Sequence, residues 1–124
     1  MIPKYRAWDK KIKIMSEVTL IDYRAEFVEL FNEELYLRDF SKVELMQSTG
    51  LKDKNGKEIF EKDILDYNGR KVIVKWHGSY ACFIYEFVDE LKNRTTEWQP
   101  LYLSYYKFEI IGNIYENPEL LEVE

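Results

Sequence analysis

Apolar and polar positions alternate most regularly over residues 70–87, RKVIVKWHGSYACFIYEF. Val72, Val74 and Trp76 share one face at period two, and Lys71, Ile73 and Lys75 share the other. After His-Gly-Ser the alternation resumes, with Tyr80, Cys82 and Ile84 opposite Ala81, Phe83, Tyr85 and Phe87. β-branched and aromatic residues in this rhythm, split at a glycine, predict a hairpin turning at His77-Gly78, with Trp76 inside beside Val72 and Val74. Asn68-Gly69 just before it predicts a type I′ turn, which needs positive φ at both central residues. Asn55-Gly56 carries the same signature.

Beyond the hairpin the pattern predicts two more strands, over residues 101–106 and 108–115. Pro100 has no backbone donor and belongs at a strand start. The polar stretch 89–97, DELKNRTTE, reads as a loop. NPELLEVE at the end predicts a short helical turn with Asn117 as N-cap and Pro118 at its first position. Residues 22–45 divide the evidence of periodicity. Phe27, Leu30, Phe31 and Leu35 fit a helical stripe, slightly the better reading. Phe27, Glu29 and Phe31 also alternate with Val28 and Leu30, and Asn-Glu-Glu fits a turn between two strands.

The chemistry that DKNG invites does not survive its spacing. A calcium loop of the EF-hand kind needs oxygen ligands at its first and twelfth positions around a glycine at the sixth. With Gly56 as the sixth, those positions fall on Leu51 and Lys62, and neither ligates. His77 is the only histidine. It reads as a turn residue, and no signature joins it to Cys82 as a nucleophile. The five glycines are scattered singly, so no phosphate-cradling loop is present. No catalytic, cofactor-binding or metal residue is therefore expected, and the enzyme class is the weakest.

Composition narrows the remainder. The 124 residues are 46% hydrophobic and 16% aromatic, enough for a core. The net charge of −5 weakens any reading in which the whole surface attracts phosphate. One cysteine forms no internal disulfide, the N-terminus lacks an apolar signal core, and no apolar run nears the roughly 20 residues of a membrane helix. A cytoplasmic protein without a membrane partner is expected.

Three blocks now stand in order: RAWD at 6–9, LMQSTGLKDKNGKEIFEKDIL at 45–65 and EIIGNIYENPELL at 109–121. Together they resemble the YopX family, small proteins encoded by bacteriophages and prophages. The resemblance implies an all-β fold: an N-terminal β section over 1–48 with room for a short helix, then an SH3-like small barrel over 49–124 closing on a short helical turn. It also implies action in the cytoplasm of a bacterial host, and it supplies no reaction. The family layout favours strands over residues 22–40, against the helical stripe. Where the family commonly has Gly in EGDI this chain has Lys62, which argues against positive φ there.

The expected function is a protein-interaction or self-assembling module, because 17 Tyr and Phe exceed what a small core needs. A homo-oligomer is expected, with residues 22–40 and 102–106 as its contact and a host or phage protein as a further partner. The alternative is nucleic-acid binding by Arg70, Lys71 and Lys75 near Trp76 and Tyr80. The candidate surface residues are Lys71, Lys75, Tyr102, Tyr105 and Tyr106.

Overall fold

The computed structural model describes residues 4–91 and 97–122, and among them every regular element is a strand or a 3-10 turn. The all-β expectation holds. The chain divides into two compact units, Met1–Ser48 and Thr49–Glu124.

The first unit carries β1 (Tyr5–Asp9), β2 (Ile14–Asp22), β3 (Phe27–Asn32), β4 (Glu34–Asp39) and the first part of β5 (Val43–Lys52). Antiparallel pairing orders them β4-β3-β2-β1-β5, with β4 at the edge. Ala7, Val28, Leu30 and Val43 form the buried core, and Val18, Ile21, Tyr36, Phe40 and Leu45 pack around it. This arrangement decides the ambiguous stretch for strands. A helical stripe would have buried Phe31 and Leu35 together with Leu30. Instead Val28 and Leu30 point inward and Phe31 and Leu35 outward. The edge of β2 pairs with β3 along its length, and that ladder outweighs a local helical preference.

The second unit holds β6 (Glu58–Phe60), β7 (Asp63–Tyr67), β8 (Arg70–His77), β9 (Cys82–Phe87), β10 (Trp98–Pro100) and β11 (Glu109–Asn113). Its sheet runs β10-β9-β8-β7-β11, and β6 follows β5 in the other sheet order. Ile59, Leu65, Val72, Val74, Leu101 and Phe108 are its fully buried core. The sheet is open, with β10 and β11 at its edges, so the expected closed barrel is corrected. The strand expected over residues 101–106 does not extend. Leu101–Leu103 and Tyr105–Lys107 are 3-10 turns, held by Ser104 N–H to Leu101 O at 3.1 Å and Phe108 N–H to Tyr105 O at 3.2 Å. Leu101 and Phe108 are thereby buried while Leu103 faces out, a spacing no strand provides. The loop expected over 89–97 lies largely outside the described residues.

The turns share a rule that glycine counting misses. Three hairpins have four-residue loops, at residues 10–13, 23–26 and 78–81, between the pairs Asp9↔Ile14, Asp22↔Phe27 and His77↔Cys82. Each ends on a left-handed residue: Lys13 at φ 58°, Glu26 at φ 59° and Ala81 at φ 50°. Asp9 Oδ1 accepts Lys11 N–H at 2.9 Å, and Asp22 Oδ1 accepts Ala25 N–H at 2.8 Å, so a carboxylate stands in for backbone acceptors in two of them. The turn expected at His77-Gly78 is therefore a wider loop whose strained residue is Ala81. Asn68-Gly69 does form the tight turn, with φ 50° and 88°. Asn55-Gly56 also turns tightly, with Gly56 N–H to Asp53 O at 3.0 Å, but not as type I′, since only Gly56 is left-handed, at φ 82°.

The three family-like blocks are hydrogen-bonding devices. Asp53 is buried, and its Oδ1 accepts Asn55 and Lys57 N–H, both at 2.9 Å. Its Oδ2 accepts Ile110 N–H at 3.0 Å, tying the turn to β11. Asp63 Oδ2 accepts Phe60 N–H at 2.8 Å. Between them Lys62 sits at φ 69°, against expectation. Its N–H donates to Val74 O at 2.9 Å and its carbonyl accepts Ile114 N–H at 3.2 Å, so the backbone geometry is set by partners whatever the side chain. In the last block Asn113 Oδ1 accepts Tyr115 and Glu116 N–H at 3.0 and 2.9 Å. The Asn117 side chain fills the space where Gly112 lacks a Cβ. Asn117 precedes the 3-10 turn Pro118–Leu121 but does not cap it, its Oδ1 accepting Asn113 N–H instead.

Two stability predictions follow from these turns. Lys62→Gly should raise the unfolding free energy by about 1 kcal/mol, because it removes the Cβ penalty of a left-handed residue. Asp53→Ala should lower it by about 3 kcal/mol, since three backbone donors lose a buried charged acceptor. Urea unfolding of both variants is the check. Unchanged midpoints would show that neither site holds the fold as described.

Candidate interaction surface

β4 is an edge strand, and its sequence ELYLRD puts two kinds of side chain on its two faces. Leu35 pairs with Phe31 and Leu37 with Glu29 across the ladder to β3, while Leu20 of β2 pairs with Glu29 from the other side. Leu20, Phe31, Leu35 and Leu37 therefore stand on one sheet face, and all are exposed, Leu35 at 59% and Leu37 at 56%. An apolar face beside an unpaired strand edge is the combination that most readily accepts another chain.

The opposite face of β4 is fixed from below. Tyr36 OH and Ser16 Oγ are 2.6 Å apart, and the Arg38 guanidinium lies 4.8 Å from the Tyr36 ring centre. Arg38 Nε is 2.9 Å from Oδ2 of the fully buried Asp9, an ion pair whose N–H is not aligned as a hydrogen bond. Arg38 Nη1 also donates to the Leu37 carbonyl at 2.9 Å. These contacts hold β4 flat on the unit and leave Leu35 and Leu37 pointing outward.

The surface residues expected from sequence do not form one site. Lys71 and Lys75 alternate with the core residues Val72 and Val74, so they lie on the far face of the sheet from that core. Tyr105 packs against the core itself. Tyr102 and Tyr106 are exposed, but on 3-10 turns rather than the strand expected over residues 101–106. Lys75 is held by Glu86 at 3.0 Å. Arg70 is held by Asp89 at 2.8 Å and Glu90 at 3.5 Å and lies 3.7 Å over the Phe87 ring. Hydrogen bonding to Asp89 is the main cause raising the Arg70 pKa above its already high value, so it stays cationic. Of the three basic residues in the nucleic-acid reading, Arg70 and Lys75 are ion-paired.

Trp76 is not inside. It is 48% exposed and meets Phe83 edge-on at 5.0 Å, because the core ends at Val74. His77 and Cys82 face each other across the β8–β9 ladder, a pairing that the four-residue loop creates and the sequence spacing concealed. The His77 ring packs against Tyr80 at 4.9 Å and Trp98 at 4.7 Å, and its buried Nδ1 has no hydrogen-bond partner among the described residues. The β4 edge was legible only as far as residues 22–40 were read as strands. Nothing in the sequence said which strand would lack a neighbour.

Over residues 4–122 the chain matches the family described as YopX protein. It is also similar to a solved structure, the crystal structure of protein EF1440 from Enterococcus faecalis. The two share 34% sequence identity and a TM-score of 0.64, over 98% of this chain and 99% of that one. No curated protein matches it.

Proposed function

The chain belongs to the YopX protein family, and we propose that it serves as a non-catalytic, self-associating interaction module of phage or prophage origin in the bacterial cytoplasm. One observation carries this reading: the unpaired β4 edge bears Leu35 and Leu37 beside exposed Phe31 and Leu20. A second copy is the occupant that fits. If two β4 strands pair antiparallel about a two-fold axis at Tyr36, Leu35 falls opposite Leu37 and Glu34 opposite Arg38. Both pairings recur by symmetry. Apolar residues meet apolar ones and opposite charges meet, each cross-strand pair contributing about 0.2–1 kcal/mol. The apolar faces of the two copies then run into one continuous strip. Among the described residues, no helix is long and apolar enough to cross a membrane. The exposed Tyr102, Leu103 and Tyr106 of the second unit are offered to a host or phage protein.

Light scattering after size exclusion tests the assembly. At micromolar concentration a dimer with a Kd near 1 μM, about −8 kcal/mol, is largely formed, and a mass of twice 15.1 kDa is expected. Leu35→Lys with Leu37→Lys should return the monomer, since like charges would then face each other across the axis. Tyr36→Cys in a Cys82→Ser background should crosslink on mild oxidation. A monomeric wild type, or a dimer indifferent to both leucines, would refute the reading.

A further inference from the structure

We propose that the first unit also contains a cleft for a phosphate-bearing ligand with a flat apolar portion, the chemistry of a nucleotide. A cavity of about 800 Å³ opens between the β1–β2 loop, the β2–β3 loop, β4 and the 3-10 turn Phe40–Lys42. Its lining combines the cations Lys10, Lys11, Arg38 and Lys42 and the Ser41 hydroxyl with the apolar Phe27, Leu37 and Ala25.

The loops are held in place without a ligand. Lys10 N–H donates to Lys42 O at 2.9 Å, Phe40 N–H to Glu26 O at 3.0 Å and Lys11 N–H to Asp9 Oδ1 at 2.9 Å. Two lysine-bearing segments are thus fixed side by side in a protein of net charge −5. Lys10 reaches Glu44 at 3.4 Å, but among the described residues Lys11 and Lys42 have no carboxylate partner. Cations held together repel, and an anion between them removes that cost. The preformed loops also spare the ligand the entropy of ordering them.

Asp39 sets the orientation. It lines the same cavity, so phosphate oxygens are repelled from its side and drawn to Lys11, Ser41 and Lys42. A ring would then lie against Phe27 and Leu37, with its amino or hydroxyl donors within the carboxylate's neighbourhood. Every lining residue comes from one copy, and of these Leu37 is also a contact of the proposed β4 pairing.

NMR titration of the full chain with ATP and with inorganic tripolyphosphate separates the two halves of the claim. Both probes should shift the amides of Lys11, Ser41 and Lys42 saturably, and only ATP should shift those of Phe27 and Leu37. ATP should bind about tenfold more tightly than tripolyphosphate, and the paired change Lys11→Glu, Lys42→Glu should weaken it at least about tenfold. Added salt should weaken both probes. The Lys→Gln pair, with an unchanged spectrum, serves as the folded control and should weaken binding in the same direction. No saturation by about 10 mM, shifts centred on Lys71 and Lys75, or equal affinity for the two probes would overturn the proposal.

Discussion

The second unit depends on one buried carboxylate. Asp53 sits where an extended chain must turn back, and each of its oxygens is used: Oδ1 by Asn55 and Lys57, Oδ2 by Ile110. The last of these bonds joins residues 57 apart in sequence. It pins β11 to the turn while β11 pairs with β7, and β7 in turn pairs with β8. A charged acceptor buried with three donors is favourable only when all are in place, so turn, edge strand and register are specified together. Asp63 and Asn113 hold backbone N–H groups at the neighbouring turns in the same way.

That division of labour gives the patterned blocks a structural role, whatever chemistry the protein performs. Both carboxylate oxygens of Asp53 are engaged by backbone N–H groups. Lys62 shows the same priority. Its left-handed backbone is fixed by bonds to Val74 and Ile114, so a side chain that disfavours this geometry is tolerated rather than accommodated. A substitution at a glycine position does not show that the turn has changed.

Period-two alternation identified β8 and β9 correctly because both faces of that hairpin are dictated by burial, and Asn68-Gly69 was legible because I′ geometry has a narrow residue preference. The four-residue loops were not legible, since Lys13, Glu26 and Ala81 carry no mark of positive φ. Alternation also misread residues 101–106, where Pro100 and two 3-10 turns break the period so that Leu101 and Phe108 both reach the core. Strands over residues 22–40 emerged from family resemblance rather than from periodicity, which slightly favoured helix over so short a length. Edge position is a property of the whole sheet, so no local pattern could mark β4 as the strand without a neighbour. Of the candidate surface residues, Tyr105 is packed against the core and Lys75 is paired with Glu86, while Leu35 and Leu37 of β4 are exposed.

With Asp53, Asp63 and Asn113 holding turns, the open β4 edge is where the proposed self-association would act. Hydrogen exchange of the β4 amides at increasing protein concentration tests that conclusion most directly, because edge amides gain partners only when a second strand arrives. Protection at Leu35 and Leu37 that rises with concentration, while Lys71 and Lys75 in β8 stay constant, is the predicted result. Exchange at β4 that is unchanged over the same range would contradict a self-associating edge.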